Sequence, residues 1–330
     1  MLDPYGEQAM IRSLFVGITE ANRSWKMISL LLTGNILLSL PIAAPIFLLI
    51  VETSRNTLAA DRMMADKLDP LWLIDLINNQ FPGAGIETAA FQVVVLLVVM
   101  GVVYLLLNTF FAGGVIGVLN STDGLFTMRK FWGEAGANFW RFLRLMLISL
   151  IFYGVAIGVY ALLLWPIESA AREASAVEPV IYKRWGAIAA LTLMFAFVNM
   201  VFDYAKIGTV INCDRGGSKG MFRETLGAFR FSGRNFLSVF GLYLVIALVG
   251  LAVFLPFNFL RWSVNQSSAG RVLLAILLGQ IAIAGRMWTR LVFYAAETHL
   301  YKKLSPITAP KPVRIEPQPE FARAEAPEGR

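Results

Sequence analysis

The sequence predicts an all-α integral membrane protein with six transmembrane helices. Of its 330 residues, 57% are hydrophobic and 15% are charged, whereas a soluble globular chain has about 45–50% apolar and about 25% charged residues. The apolar residues fall in long blocks that reach or approach the ~20 residues a helix needs to cross ~30 Å of hydrocarbon. Runs such as "VVVLLVVMGVVYLLL" lack the alternation of barrel strands, which favours helices.

The apolar blocks divide the chain into three parts. A cytoplasmic amphipathic segment, residues 1–25, precedes a membrane domain, residues 26–304. Residues 305–330 are rich in proline and polar groups, so they cannot bury a core and are expected to form a disordered cytoplasmic tail. A further interfacial helix is expected at residues 71–77. The predicted spans lie near 27–51, 89–119, 145–167, 186–202, 235–260 and 272–285.

The distribution of lysine and arginine predicts the orientation of these spans. With a cytoplasmic N-terminus, the inner segments carry 19 of these residues and the outer loops 8. Because basic residues accumulate in cytoplasmic loops, both termini are predicted to be cytoplasmic. The net charge of +7 then follows from topology and from attraction to anionic lipids, and it does not indicate nucleic-acid binding.

Three similar segments predict an internal repeat. The loop "GLFTMRKFWGEAGANFWRFLRL" from Gly124 resembles "GMFRETLGAFRFSGRNFLSVFGL" from Gly220, and a shorter version, "SLFVGITEANRSWKM", begins at Ser13. Each segment is followed by two predicted spans. The chain is therefore interpreted as three parallel copies of an amphipathic segment plus a helical hairpin.

The third amphipathic segment carries the predicted lipid contacts. Its apolar stripe consists of Phe222, Leu226 and Phe229, and the flanking basic residues are Arg223, Arg230 and Arg234. This pattern suits a helix lying in the headgroup layer with its arginines at lipid phosphates. The alternative is a helix that packs against the ends of its neighbours.

A few polar residues interrupt the apolar spans and form the candidate intramembrane site. We expect four of them at similar depth: Asn108, Asp203, Arg286 and Arg290. An ionisable residue inside a span is by default a hypothesis of function. In the functional interpretation they line a cytoplasm-facing cavity, where Asp203 binds a cation or proton and the arginines bind an anionic group. In the structural interpretation, which predicted depth favours, Asp203 pairs with Arg290 or Arg286 while Lys206 extends to the lipid surface.

Small residues indicate where helices approach one another. Gly113 and Gly117, and likewise Gly154 and Gly158, form G-x-x-x-G pairs. Such pairs let helix backbones come close, so both predict helix contacts.

Motifs of enzymes are not found in this sequence. It has no G-x-S-x-G, H-E-x-x-H, P-loop or paired intramembrane aspartates. Its one cysteine, Cys213, excludes an internal disulfide framework, and its one histidine, His299, disfavours a histidine-based metal site. We therefore predict no catalytic residues, no metal, no cofactor and no enzymatic activity.

A stretch in the fourth and fifth predicted spans carries a resemblance to known proteins. "VFDYAKIGTVI", followed by a basic loop and "GRNFLSVFGLYL", resembles a loose group of uncharacterised bacterial multi-pass membrane proteins. These are similar to the membrane domain attached to some glycerophosphodiester phosphodiesterases. The resemblance covers residues 10–304 in layout, with Lys206 where an arginine is expected. It implies the fold and a bacterial inner-membrane location. It implies no phosphodiesterase activity, because the chain lacks a soluble α/β catalytic stretch.

Two functional hypotheses follow. The first is a non-enzymatic membrane protein for membrane organisation, lipid interaction or scaffolding. Its partners would be anionic membrane lipids and an unidentified membrane or cytoplasmic protein. The alternative is a transporter or channel for a small solute that uses the cluster of Asp203, Arg286 and Arg290.

Overall fold

Helices account for all regular secondary structure in the computed structural model, which describes residues 4–56, 86–121, 126–173, 178–214, 220–264 and 269–305. Within these ranges the helices are α1 (Pro4–Arg23), α2 (Trp25–Asn56), α3 (Ile86–Asn120), α4 (Met128–Glu173), α5 (Glu178–Asp214), α6 (Met221–Arg234), α7 (Phe236–Ser263) and α8 (Ala269–Leu304). The predicted all-α class is confirmed for this part of the chain. The interfacial helix expected at 71–77 and the tail after Ser305 lie outside the described residues.

Among the described residues, five helices are long and apolar enough to cross a membrane: α3, α4, α5, α7 and α8. The helix α2 has 32 residues, and the apolar part assigned to it is the shorter stretch Trp25–Pro41. Each predicted span falls within one helix, except that Asn235 lies just before α7. The architecture is that of a membrane-embedded helical protein.

The buried core lies at one end of the bundle, which we call the core end. It is built from the first parts of α2, α4 and α7 and the last parts of α3, α5 and α8. Representative members are Met27, Ile116, Phe142, Ile207, Leu242 and Leu300. Towards the other end the helices present apolar side chains outwards, as Val98, Trp165 and Leu273 do. Exposed apolar surface of this extent is expected of a protein surrounded by lipid.

Three helices form the centre of the bundle, because α3, α5 and α8 each contact the other two. The amphipathic segments pack around this centre at the core end. The helix α1 packs on α8, the first part of α4 packs on α3, and α6 packs on α5. Each segment therefore lies on the last helix of the preceding predicted copy, and the first segment closes the circle on the third copy.

The amphipathic segments join the following helices in two ways. A single residue that is not helical, Ser24, separates α1 from α2, and Asn235 separates α6 from α7. No such break occurs in the second segment, where Asn138 lies inside the continuous helix α4 and donates from Nδ2 to the carbonyl oxygen of Glu134 at 3.0 Å. Asn138 and Asn235, which occupy equivalent positions in the second and third segments, therefore differ in local structure.

One of the two predicted glycine contacts is present. Gly113 and Gly117 face the first part of α4, and a Cβ atom placed at Gly117 would lie 2.6 Å from Cβ of Glu134. The missing side chain is what lets these helices approach. No contact is seen at the other pair, because Cβ atoms at Gly154 and Gly158 would meet no described residue within 4 Å.

Candidate functional site: a polar cavity inside the bundle

A cavity of about 630 Å³ lies between α3, α5, α7 and α8. All four residues of the predicted intramembrane cluster line it: Asn108, Asp203, Arg286 and Arg290. The structure therefore brings together side chains from three helices. The opposite wall is apolar and comes mainly from α7, with Ala247, Gly250, Leu251 and Phe254. Its volume falls within the range of about 300–1,000 Å³ that is usual for ligand sites.

The cavity lies beside the buried core, and Met287 and Tyr294 belong to both. In α3 the lining residues come before the buried core residues, whereas in α5 and α8 lining and core residues alternate along the helix. That this cavity faces the cytoplasm stays a prediction. The exposed side chains of Tyr104, Leu251 and Arg286 show that the cavity opens to the outside.

The segment "NMVFDYAKIG" places three polar residues of α5 beside the cavity. Asn199, Asp203 and Lys206 stand at helical positions i, i+4 and i+7, so they share one face of the helix. The Lys206 ammonium donates to Oδ1 of Asp203 at 2.8 Å. The predicted pairing of Asp203 with Arg290 or Arg286 is therefore wrong, and so is the extension of Lys206 to the lipid surface. An i,i+3 partner on the same helix is within reach without any contact between helices.

Asp203 is held from a second direction by Asn199. The Nδ2 group of Asn199 donates to Oδ2 of Asp203 at 3.2 Å and to the Tyr243 hydroxyl of α7 at 3.1 Å. Both carboxylate oxygens thus have a donor, and the network ties α5 to α7. Asp203 is buried, and a buried carboxylate is stabilised only when it is hydrogen-bonded and paired in this way.

Arg286 and Arg290 of α8 have no carboxylate partner among the described residues. Arg290 donates to Oδ1 of Asn108 on α3 and to the Tyr294 hydroxyl, the latter at 3.0 Å. Both acceptors are neutral. Arg286, one turn earlier on the same helix, has no hydrogen bond or ion pair with the residues that the structure describes. Two positive charges therefore face the cavity without a negative charge to balance them.

Glu297 is an unusual buried acid that sequence reasoning missed. It lies on α8 two turns after Arg290, its exposed fraction is 1%, and neither carboxylate oxygen has a hydrogen-bond partner among the described residues. It does not line the cavity. Its neighbours in the sequence, "ETHLYKK", are typical of an exposed helix end, whereas in the structure α8 packs against several helices of the bundle.

Asn199 could have been found from the sequence. Asn108, Asn199 and Arg290 are separated by equal intervals of 91 residues along the chain, and a phenylalanine follows each of them three residues later. All three line the cavity, one from each central helix. The tyrosines that line it, Tyr104, Tyr243 and Tyr294, carry no comparable sequence signal.

The predicted lipid-contact residues lie on α6 as follows. Arg223, Arg230 and Arg234 are exposed. Of the apolar stripe, Phe222 and Leu226 are 76% and 70% exposed. Phe229 instead packs against Phe152 of α4 and Phe197 of α5, with ring centroids 5.1 and 6.4 Å away. The helix α6 therefore has features of both interpretations. Phe222 and Leu226 face outwards, as a lipid contact requires, and Phe229 packs against neighbouring helices.

The inward face of α6 is polar. Its buried residues are Glu224, Thr225, Ala228 and Ser232. Glu224 accepts hydrogen bonds from Nδ2 of Asn212 on α5, at 2.9 Å to one carboxylate oxygen and 3.1 Å to the other. This distribution is the reverse of a water-soluble amphipathic helix, which buries its large apolar side chains.

The helix α1 carries one acid, Glu20, whose pKa is raised in the folded protein. Loss of water around Glu20 raises its pKa above the usual value of a glutamate, and attraction to Lys302 and Arg23 opposes this in part. The same helix exposes Ile11 and Phe15, while Ser13 is buried and its Oγ lies 2.9 Å from Nδ1 of His299 on α8. The single histidine thus contributes to helix packing.

Within the described ranges, no group of three or more histidine, cysteine, aspartate or glutamate side chains could hold a metal ion. Cys213 is half-buried near the end of α5. Comparison of the chain with protein-family models, curated proteins and solved structures finds no match. The resemblance to the membrane domain attached to some glycerophosphodiester phosphodiesterases therefore stays a prediction.

Proposed function

We propose that this protein is a non-enzymatic, six-span protein of a bacterial inner membrane that interacts with anionic lipids through its basic amphipathic segments. Both termini and the core end would lie on the cytoplasmic side. The observation that carries the proposal is the outward face of α6, where Phe222 and Leu226 are exposed beside Arg223, Arg230 and Arg234.

The exposure on α6 is unfavourable in water and favourable at a membrane surface. Burying a large apolar side chain is worth about 1.5–3 kcal/mol, so α6 would gain from placing this face at the acyl chains. Its arginines would then meet lipid phosphates, each contributing about 1 kcal/mol near an anionic surface. The polar inward face makes docking of a soluble partner a weaker explanation, because that face is already buried within the bundle.

The other two segments support the same arrangement. In α1 the exposed apolar residues are Ile11 and Phe15, next to Arg12, and at the start of α4 they are Met128 and Trp132, next to Arg129. Three segments that surround one end of the bundle and combine exposed apolar side chains with basic ones are suited to a headgroup layer.

The threefold repeat and the sixth span belong to the same proposal. The cyclic packing of α1 on α8, α4 on α3 and α6 on α5 supports three copies. So does the equal spacing of Asn108, Asn199 and Arg290. In the first copy, the helix that corresponds to the membrane-spanning parts of α4 and α7 would be α2. Its described apolar part is Trp25–Pro41. A parallel repeat of this kind needs two crossings per copy, which gives six.

The test compares lipid retention in two variants of equal charge. One variant carries Arg223→Gln, Arg230→Gln and Arg234→Gln, and the control carries Lys183→Gln, Arg184→Gln and Arg261→Gln at the other end of the bundle. After extraction in mild detergent, bound phospholipid is counted by mass spectrometry. We expect the first variant alone to lose most of its peripheral anionic lipid. Equal retention in the first variant and the unmodified protein would contradict the proposal.

The cavity favours a second candidate function, a transporter or channel for a small solute. Its specific support is that Asp203, Arg286 and Arg290 line one open cavity inside the helical bundle. Flux of charged solutes into proteoliposomes would test it, with Asp203→Asn expected to abolish the flux. Equal flux in the variant and the unmodified protein would contradict a role for this residue.

A further inference from the structure

We propose that the cavity between α3, α5, α7 and α8 binds one anionic amphiphile. Its phosphate or carboxylate would lie between Arg286 and Arg290, and its acyl chain would lie along α7. This inference goes beyond lipid attraction by the amphipathic segments, because it concerns a single site inside the bundle.

The first step is the charge balance of the cavity. Three cations line it, Lys206, Arg286 and Arg290, and the only lining acid is Asp203, within the described residues. Lys206 already forms an ion pair with Asp203 at 2.8 Å. The two arginines remain without a negative partner, although unpaired charges inside spans are costly and normally face a partner or a water-filled cavity.

The second step excludes the described acids Glu297 and Asp203 as that partner. Glu297 does not line the cavity and makes no hydrogen bond to either arginine. Asp203 has donors on both oxygens, from Lys206 and Asn199. The described side chains therefore do not supply the anion, and an external ligand would.

The third step is the geometry of the two arginines. Arg286 and Arg290 stand at i and i+4, so their side chains leave the same face of α8, about 5–6 Å apart at Cβ. Arg290 is held in place by Asn108 and Tyr294, while Arg286 is free to move toward a ligand. A planar guanidinium with several donors is suited to bidentate binding of phosphate or carboxylate.

The fourth step is the apolar wall, which distinguishes an amphiphile from a free anion. Ala247, Leu251 and Phe254 of α7 and Met287 and Phe293 of α8 line the same cavity. An inorganic anion would leave this wall uncovered. Leu251 is 49% exposed, so the wall continues to the outer surface of the bundle. An acyl chain held at the arginines could follow this path into the surrounding hydrocarbon.

The experiment measures binding to the full-length protein after delipidation in a mild detergent. Native mass spectrometry records binding of a phosphatidylglycerol, a phosphatidylcholine of the same chain length, and glycerol phosphate without acyl chains. We expect one saturable, high-affinity phosphatidylglycerol. We expect phosphatidylcholine to bind more weakly and glycerol phosphate to bind at least tenfold more weakly. Equal binding of both lipids, or glycerol phosphate binding as tightly as the lipid, would overturn the proposal.

Variants locate the site. Arg286→Gln with Arg290→Gln should weaken phosphatidylglycerol binding by about 10–100-fold, the loss expected for charge-assisted hydrogen bonds, and the corresponding double lysine variant should restore part of it. Ala247→Trp, which fills the cavity beside the wall, should weaken lipid binding while glycerol phosphate binding is unchanged. Unchanged high-affinity lipid binding in the glutamine variant would overturn the proposal.

The two lipid proposals are separable. Arg223→Gln with Arg230→Gln and Arg234→Gln should reduce the number of loosely bound anionic lipids and leave the one tight lipid in place. If instead the tight lipid disappears in this variant and persists in the Arg286 and Arg290 variant, the cavity is not the site. Loss of only the loosely bound lipid supports both proposals.

Discussion

Lys206 donates to Oδ1 of Asp203 at 2.8 Å within one turn of α5, and this ion pair leaves Arg286 and Arg290 of α8 without an acid partner among the described residues. The pair determines the electrostatics of the cavity, because Asp203 is the only acid among the described residues that line it. A cation from the same helix neutralises that acid. The positive charge of Arg286 and Arg290 is therefore available to an external group.

Asp203→Asn should destabilise the protein, because it leaves the ammonium of Lys206 without its partner. Removing one member of a buried pair typically costs about 3–5 kcal/mol, whereas replacing both can be close to neutral. Thermal unfolding in detergent should therefore show a lower midpoint for Asp203→Asn than for the double variant with Lys206→Met. If the single and double variants unfold at the same temperature, the pair does not provide this stabilisation.

Glu297→Gln should leave stability unchanged or raise it, since both oxygens of the buried acid have no hydrogen-bond donor among the described residues. The matched control is Glu224→Gln, where the acid accepts two hydrogen bonds from Asn212. Hydrogen bonds to charged groups contribute up to about 3 kcal/mol. Glu224→Gln weakens two of them, so it should lower the unfolding midpoint. A larger loss in Glu297→Gln than in Glu224→Gln would contradict the environment described for Glu297.

The raised pKa of Glu20 predicts that its contribution to folding stability decreases as the pH rises. Burial raises the pKa of Glu20 in the folded state, so its protonated form is favoured on folding. The corresponding stabilisation is present below the usual pKa of a glutamate, near pH 4.3, and is lost as the pH rises through the higher folded value. Because Glu20 is partly exposed, the effect should be within about 0.5 kcal/mol.

The measurement compares unfolding midpoints at pH 4 and pH 7. Glu20→Gln should reduce the difference between the two, and Glu7→Gln, at an exposed position of the same helix, should not. A difference that is the same in Glu20→Gln and in the unmodified protein would rule out Glu20 as its source.

Gly17→Ala should loosen the contact between α1 and α8, since a Cβ atom at Gly17 would lie 2.7 Å from Cβ of Ala296. Overpacking of this kind costs about 1–3 kcal/mol. In the control, Gly136→Ala, the new methyl meets nothing within 4 Å, and the helix should gain up to about 1 kcal/mol. Limited proteolysis of α1 is expected to accelerate only in Gly17→Ala; equal protection in both variants would show that the contact tolerates a methyl group.

The sequence predicts the helices well because length and polarity determine them. A block such as "VVVLLVVMGVVYLLL" can satisfy its backbone in lipid only as a helix. It does not predict which apolar side chains are buried, because lipid and protein interior are both apolar surroundings. That is why the confinement of the core to one end, with Ile116 buried and Val98 exposed on the same helix, emerges only from the structure.

The sequence predicts which residues form the candidate site, but it does not predict which hydrogen bonds and ion pairs they make. Asn108, Asp203, Arg286 and Arg290 stand out as polar residues in apolar spans, and they line one cavity. Their partners depend on rotation and reach of the side chains, which residue spacing leaves open. Lys206 was assigned to the surface, yet the same helix supplies it to Asp203. The sequence around Glu297 is typical of an exposed helix end, and its burial depends on the packing of α8 within the bundle.

The packing of α1 on α8 has a consequence for synthesis of the chain. Oγ of Ser13 and Nδ1 of His299 are 2.9 Å apart and belong to the first and last of the described helices. The ribosome delivers the first of these helices early, but its docking surface emerges only after nearly 300 residues have been translated. During that time α1 lacks the surface of α8 against which it packs in the folded protein. Closure of the ring is therefore expected to be a late, post-insertion step in the maturation of the protein.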